Sequence, residues 1–137
     1  MTEVNDFNAQ MIEEFRANEG VVGGPFEGTT VLLLTTKGAK SGLERVNPVV
    51  CRIEGEDVYV FASKAGAPTN PDWFHNLVAN PSVTVELGSE TFTATAEVLE
   101  RGERDRVYAA HAGVNPGFAE YEQMTERIIP VVRLIRG

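Results

Sequence analysis

Cysteine and histidine are scarce in this chain, and long apolar runs are missing. Its one cysteine, Cys51, excludes an intrachain disulfide. Cys51 follows Val49 and Val50, which predicts a buried structural thiol rather than a nucleophile. His75 and His111 have no partner at ligand spacing, so no metal site is predicted. No apolar run is long enough to span a bilayer.

Several sequence motifs and one charge pattern are also missing. The chain has no Gly-x-Gly-x-x-Gly and no Walker phosphate loop, and neither Ser41 nor Ser63 lies in a Gly-x-Ser-x-Gly elbow. A net charge of −8 and a pI near 4.7 exclude a general nucleic-acid binder. The acidic N-terminus has no continuous apolar segment, which predicts no signal peptide and a cytoplasmic location.

The hydrophobic pattern predicts one α+β domain, residues 1–137. The runs 83–87 and 91–98 alternate around Gly88-Ser89, as in an antiparallel hairpin. Strands and helices do not alternate regularly, which argues against a parallel sheet. We expect a small antiparallel barrel of about six strands with three or four peripheral helices. The predicted strands are 29–36, 43–53, 58–62, 83–87, 91–98 and 128–135, and the predicted helices are 5–18, 71–79, 103–111 and 116–126.

Three local features carry further expectations. The continuous run Val31 to Leu34 is typical of a strand covered on both faces. Asn47-Pro48 predicts an edge or a bulge in the second strand. Asn70 is predicted to be the N-cap of the helix that begins at Pro71.

The N-terminal helix 5–18 is amphipathic. Phe7, Met11 and Phe15 recur at four-residue spacing, which predicts packing across the core. A movable lid and peripheral membrane contact are the alternatives, and the acidic residues of the helix argue against strong attraction to anionic lipid.

The stretch 28–53 is basic, although the whole chain is acidic. It holds Lys37, Lys40, Arg45 and Arg52 against one acid, Glu44. Glycines flank the Lys37–Ser41 turn, and cations beside free backbone N–H groups form an anion site. Solvated turn residues are the alternative interpretation.

A second loop, Ser63 to Gly66, also follows a strand and contains a lysine and a glycine. In a small barrel the two loops could lie near each other. Together with Arg45 they suit a ligand that has a phosphate, further acidic groups and an aromatic head.

Four segments in unbroken order resemble the deazaflavin-dependent nitroreductase family of actinobacteria. They are Leu-Leu-Thr-Thr-Lys-Gly-Ala-Lys-Ser-Gly-Leu-Glu-Arg-Val-Asn-Pro (33–48), Ala-Ser-Lys-Ala-Gly-Ala (62–67), Pro-Asp-Trp-Phe-His-Asn-Leu-Val-Ala-Asn-Pro-Ser-Val (71–83) and Thr-Glu-Arg-Ile-Ile-Pro-Val (125–131). The resemblance implies a split β-barrel and the cofactor coenzyme F(420), an 8-hydroxy-5-deazaflavin with a phosphodiester and a glutamate tail.

The resemblance also implies residue roles. The phosphate and the glutamate tail would be held by Lys37, Lys40, Ser41 and Arg45. The residues expected around the deazaflavin and its side chain are Asn47, Pro48, Ala62, Ser63, Lys64, Gly66 and Ala67, with Trp73, Asn76 and Leu77 in the same cofactor-contacting segment.

The activity implied is hydride transfer from C5 of the reduced deazaflavin to a quinone, with nitroaromatics as a second class of acceptor. Ser63 and Tyr121 are the candidate catalytic residues, as hydrogen-bond or proton donors to the acceptor. Phe118 and Tyr121 would form an aromatic wall, for which ordinary helix packing is an equal alternative. Relatives active on nitroimidazoles tend to carry more tyrosines around the acceptor pocket. Val50 stands where a tyrosine can occur, and Asn115 and Phe118 lie in the C-terminal segment, so fewer hydroxyls disfavour activation of nitro drugs.

Two alternative functions stay open from the sequence. An FMN-dependent oxidoreductase on the same barrel would need no site for a glutamate tail. A non-enzymatic carrier of the cofactor or of an apolar ligand would bind without turnover. The oligomeric state is not determined by the sequence.

Overall fold

Six antiparallel strands close into a barrel in the computed structural model, which describes residues 3–18, 30–67 and 69–136. In chain order the elements are α1 (Glu3–Ala17), β1 (Val31–Lys37), β2 (Glu44–Glu54), β3 (Asp57–Phe61), α2 (Asp72–Ala79), β4 (Ser82–Leu87), β5 (Glu90–Val98), α3 (Arg101–Val114), α4 (Pro116–Met124) and β6 (Val131–Arg136). The strand order around the barrel is β1-β2-β3-β6-β5-β4. The predicted antiparallel barrel with peripheral helices is confirmed.

Strand β1 is buried on both of its faces, as its continuous apolar run predicted. Leu32 and Leu34 point into the barrel core, and Val31 and Leu33 pack under α1. The helix contributes Met11 and Phe15 to that outer cluster. The predicted packing of the N-terminal helix is therefore confirmed, while the side chain of Phe7 and the predicted loop 21–27 lie outside the described residues.

Strand β3 separates two clusters. Val58 and Val60 join the barrel core, whereas Tyr59 and Phe61 face α3 and α4. Ring contacts on that side define the aromatic cluster, which consists of Phe61, Tyr108, His111, Phe118 and Tyr121. Cys51 lies in the barrel core, and burial raises the pKa of its thiol to about 12, which confirms a structural thiol.

The barrel is open beside the first half of β2. β3 pairs only with Cys51–Glu54, while β1 pairs with residues 44–50. The Cys51 N–H donates to the Thr30 carbonyl, on the β1 side of β2. Successive residues of an antiparallel strand direct their N–H groups to opposite sides, so the Pro48 nitrogen points away from β1. Within the described residues no strand pairs with that side of β2 at Pro48, so the missing N–H costs no ladder bond. The edge predicted at Asn47-Pro48 is confirmed, and it forms one side of the split.

The helix boundaries differ from the prediction at several places. α3 is longer than 103–111 at both ends, and α4 ends at Met124 rather than at residue 126. β6 begins at Val131 rather than at residue 128, because Pro130 has no N–H to donate to a ladder. The Pro130 carbonyl still accepts a hydrogen bond from the Ala62 N–H.

The predicted N-cap was wrong. The cap position of α2 is Pro71, and Asn70 makes no capping bond. The Asn70 side-chain oxygen instead accepts a hydrogen bond from Arg127 at 2.7 Å.

Candidate functional site

The turn between β1 and β2, with its flanking residues 37–45, forms the basic loop. Gly38 donates to the Leu43 carbonyl at 2.8 Å, and Gly42 donates to the Gly38 carbonyl at 2.9 Å. Gly42 has a φ of 72°, which favours glycine. Within the described residues the N–H groups of Lys40 and Ser41 make no hydrogen bond, so two backbone donors stand free between the cations.

A groove of about 730 Å³ runs between the basic loop, α1 and α2. It brings together five of the residues predicted to bind the cofactor, namely Lys40, Ser41, Arg45, Asn47 and Asn76. The sequence argument missed the other lining residues, because helix packing alone brings most of them to this place. These residues are Ala9, Ile12, Gly38, Ala39, Val46, Asp72 and His75.

Asn76 connects α2 to the basic loop. Its side-chain oxygen accepts from the Ala39 N–H at 3.0 Å, and its nitrogen donates to the Thr36 hydroxyl at 3.2 Å. These two bonds fix the basic loop against the helix. Trp73 and Leu77, which the resemblance placed in the cofactor-contacting segment, pack into the barrel core.

The second loop, Ala62–Ala67, contains a 3₁₀ turn at Lys64–Gly66. A Cβ added to Gly66 would lie 2.8 Å from the Met124 Cβ, so the loop packs tightly on the end of α4. Ser63 is partly buried, and its hydroxyl has no hydrogen-bond partner in the described part of the chain. A polar group so placed is available to a ligand.

Both loops lie at the same end of the barrel. β1 ends at Lys37 and β3 ends at Phe61, and both are antiparallel to β2 between them. α2 closes this end, since its Trp73 reaches the barrel core. The Ala62–Ala67 loop, Lys37 and Pro48 share this end but do not line the groove.

The three residues predicted to contact the acceptor meet at the aromatic cluster. The rings of Phe118 and Tyr121 lie 5.3 Å apart, and Val50 packs against the same cluster. Phe118 is buried on Phe61 at 5.2 Å, so its role in packing is evident. Tyr121 is partly exposed, and its hydroxyl has no partner among the described residues.

Tyr108 contrasts with Tyr121 in the same cluster. Its hydroxyl donates to the Phe118 carbonyl at 2.6 Å, and burial raises its pKa. This hydroxyl is therefore used inside the fold and is not available to an acceptor.

The ion pairs separate the cations into two groups. Seven of the twelve lysines and arginines pair with a carboxylate, and all seven are arginines: Arg16, Arg52, Arg101, Arg104, Arg106, Arg133 and Arg136. Within the described ranges the other five pair with no acid. They are Lys37, Lys40 and Arg45 of the basic loop, and Lys64 and Arg127 at the second loop. The free positive charge of an acidic protein is thus concentrated at one end of its barrel.

Neither a metal centre nor a membrane-spanning helix occurs among the described residues. No group of three histidine, cysteine or acidic side chains comes together there as a metal site, and no described helix is long and apolar enough to cross a bilayer.

Comparisons with known proteins identify the family of this chain. Residues 9–135 match the family model described as F(420)H(2)-dependent quinone reductase. A protein of that name from Mycobacterium tuberculosis is 34% identical over 126 residues, which cover 89% of this chain and 85% of the relative.

Two solved structures are also similar. An F(420)H(2)-dependent reductase is 38% identical, with a TM-score of 0.69 over 76% of this chain and 92% of the other. A chain described as a domain-swapped dimer is 31% identical, with a TM-score of 0.72 over 97% of this chain and 99% of the other. The chain therefore belongs to the F(420)H(2)-dependent quinone reductase family, and it is a deazaflavin-dependent oxidoreductase.

Proposed function

We propose that this protein reduces a quinone with hydride from coenzyme F(420), and that the basic loop holds the phosphodiester and the glutamate tail. The observation that carries the proposal is that the three cations of the basic loop, Lys37, Lys40 and Arg45, have no acidic partner in the described part of the chain. Two free N–H groups, on Lys40 and Ser41, add to the anion site. A polyanionic tail supplies the partners that these groups lack.

The deazaflavin ring is proposed to lie at the split of the barrel. Asn47 and Pro48 border it on the β2 side, and the Ala62–Ala67 loop borders it on the β3 side. We assign Trp73 and Leu77 to packing beneath the ring site, because both are buried in the core. Asn76 acts by holding the basic loop.

When bound, the reduced deazaflavin supplies the hydride. The protein supplies orientation, a dry surface and hydrogen-bond donors. The Ser63 and Tyr121 hydroxyls are suited to stabilise negative charge on the acceptor oxygen or to deliver its proton, because neither is used within the described fold.

Quinone reduction is the proposed main activity, and reduction of nitroaromatics is expected to be slower. Tyr121 is the one tyrosine of α4. The nearby positions Val50, Asn115 and Phe118 carry no hydroxyl group. Fewer hydroxyls provide fewer donors for the oxygens of a nitro group.

Location and membrane contact stay predictions. α1 uses Met11 and Phe15 to pack on the barrel, so those apolar side chains are not available to lipid. We therefore propose a cytoplasmic protein that meets its quinone through the aromatic cluster.

The decisive experiment is a fluorescence titration of the purified protein with coenzyme F(420), with FMN in parallel. Selective deazaflavin binding, followed by oxidation of the reduced cofactor on adding a quinone, is expected. Selective FMN binding would establish the flavin alternative, and deazaflavin binding without turnover on any quinone or nitroaromatic would indicate a carrier.

A further inference from the structure

Arg127 lies after α4, and its guanidinium is directed at the segment 62–70. Nη2 donates to the Ser63 carbonyl at 2.8 Å, and Nε donates to the Ala67 carbonyl at 2.8 Å. Nη1 donates both to the Ala62 carbonyl at 3.0 Å and to the Asn70 side-chain oxygen at 2.7 Å. One planar fork therefore holds both ends of the Ala62–Ala67 loop, which a lysine cannot do with a single ammonium.

The backbone of this loop requires such a restraint. Lys64 has a φ of 46° and Gly66 a φ of 80°, so two of three consecutive residues are left-handed. Left-handed backbone at a residue with a side chain is unfavourable and persists only where the surroundings impose it. The local bonds are Gly66 to the Ser63 carbonyl and Ala67 to the Lys64 carbonyl. The bonds from Arg127 to Ser63 and Ala67 bracket this strained turn.

Arg127 also differs from the arginines that serve the rest of the fold. The seven paired arginines each contact a carboxylate, whereas Arg127 contacts only carbonyl and amide oxygens within the described ranges. Burial lowers its pKa, although a guanidinium stays charged at neutral pH. Its charge is therefore not cancelled locally and adds to the positive end of the barrel.

We propose that Arg127 is a positioning residue: it fixes the Ala62–Ala67 loop, and with it the Ser63 hydroxyl, in the conformation that receives the deazaflavin ring and its acceptor. This role rests on the proposed function, because the loop matters to catalysis only if the ring lies beside it. Arg127 acts through backbone carbonyls and Asn70, and it needs no contact with the cofactor.

The test compares Arg127→Lys, which keeps the charge and loses the fork, with Arg127→Met, which loses both. Arg101→Met is the matched control, because Arg101 is an exposed arginine of α3 that pairs with Asp105. Hydrogen exchange of the cofactor-free protein measures how strongly the backbone amides of residues 62–70 are protected. Titration with coenzyme F(420) and steady-state quinone reduction report binding and turnover.

Both Arg127 variants are expected to lose exchange protection at residues 62–70 while protection of the barrel strands is kept. At saturating reduced cofactor, kcat should fall by on the order of ten- to a hundredfold with little change in the KM for quinone, because the loop is misplaced by about an ångström. Affinity for the cofactor should fall further in Arg127→Met than in Arg127→Lys. If Arg127→Met does not fold, Asn70→Ala, which removes one of the four bonds, should show a smaller loss of the same kind.

Full protection and full kcat in Arg127→Lys would overturn the role, as would a uniform loss of protection over the whole chain. If the wild-type protein bound no coenzyme F(420), the proposed function and this role would fail together. If the wild type bound and turned over but the variants matched it, only the role of Arg127 would fail.

Discussion

Lys40 and Arg45 are exposed, and they line the groove beside two free backbone N–H groups. Exposed cations gain little from single ion pairs in water. A ligand with several negative charges gains more binding free energy, because it contacts several preplaced donors at once. The contribution of each cation is therefore expected to appear in cofactor binding rather than in the free energy of unfolding.

The double variant Lys40→Ala/Arg45→Ala should raise the dissociation constant for coenzyme F(420) about tenfold or more, since two charge-assisted contacts are lost. The salt dependence of binding should also become weaker, most clearly at low salt. Fluorescence titrations at two salt concentrations measure both effects. Arg101→Ala/Arg106→Ala on α3 removes the same charge from ion-paired positions and serves as the control. Equal affinity in the Lys40/Arg45 variant and the wild type would refute the anion site.

Tyr121 and Tyr108 permit a matched comparison within the aromatic cluster. Tyr121→Phe should lower kcat for quinone reduction by about tenfold or more, because an available donor is lost, while cofactor affinity is kept. Tyr108→Phe should lower the free energy of unfolding by about 1–3 kcal/mol, because the Phe118 carbonyl loses its buried donor. Urea unfolding and steady-state kinetics separate the two effects. Full kcat in Tyr121→Phe would remove that residue from the mechanism.

At the scale of elements, the site depends on how the Ala62–Ala67 loop packs on α4. Gly66 combines a φ of 80° with close approach to Met124, and the Tyr121 carbonyl lies 3.3 Å from where a Cβ would be. Gly55, in the turn between β2 and β3, has a similar φ of 63° but open space around it. The two glycines therefore separate the cost of backbone strain from the cost of overlap.

Gly55→Ala should lower the free energy of unfolding by about 1–2 kcal/mol, which is the cost of left-handed backbone alone. Gly66→Ala should lower it by a further 1–3 kcal/mol or so, because the added methyl group overlaps α4. It should also lower quinone turnover, whereas Gly55→Ala should not. Urea unfolding of both variants tests the first difference, and equal stability would mean that the loop moves away from α4 without cost.

Local pattern predicted most elements but not their ends. The burial of β1 on both faces, the β4–β5 hairpin and the alternation in β3 all follow from the order of apolar residues. The role of Asn70 could not be predicted, because it depends on Arg127, which lies 57 residues after Asn70. A capping residue and a long-range acceptor have the same sequence signal, and only the folded chain distinguishes them.

At the scale of the whole molecule, charge is unevenly arranged. The protein has a net charge of −8, yet the cations without acidic partners in its described part lie at one end of the barrel. The acidic remainder repels anions in general, so only a ligand that reaches this end finds an attractive field. This arrangement favours a specific polyanionic cofactor over nucleic acid.

Stability of the whole fold should depend on pH through His111. It is buried between Phe61 and Phe118, and neither ring nitrogen has a partner among the described residues. Burial, and to a lesser extent the charge of Arg52, lowers its pKa below the ordinary value of 6.5. Below pH 6.5 the unfolded chain therefore binds a proton at His111 more readily than the folded chain does. Stability is highest above pH 6.5 and is lost as the pH falls from there towards the folded pKa.

His111→Phe should reduce this pH dependence. One proton contributes a slope of at most about 1.4 kcal/mol per pH unit, and the variant should lack that contribution as the pH falls below 6.5. Urea unfolding at several pH values measures the slope, with His75→Phe on exposed α2 surface as the control. The same slope in wild type and His111→Phe would show that His111 is not the group responsible.

The sequence by itself determined the barrel and the character of the site. Alternating apolar residues fix which faces are buried, and the cations and glycines of the basic loop indicate an anion site through residue type and spacing alone. The tertiary structure decided which cations of the chain are free. Seven arginines outside the basic loop are neutralised by acids that are mostly distant in sequence, whereas in the described part of the chain the cations of the basic loop are not. It also decided that Asn76 and Arg127 hold the two loops, across 37 and 64 residues. Hydrogen bonds over such separations leave no periodic signal, because their geometry exists only once the chain has folded.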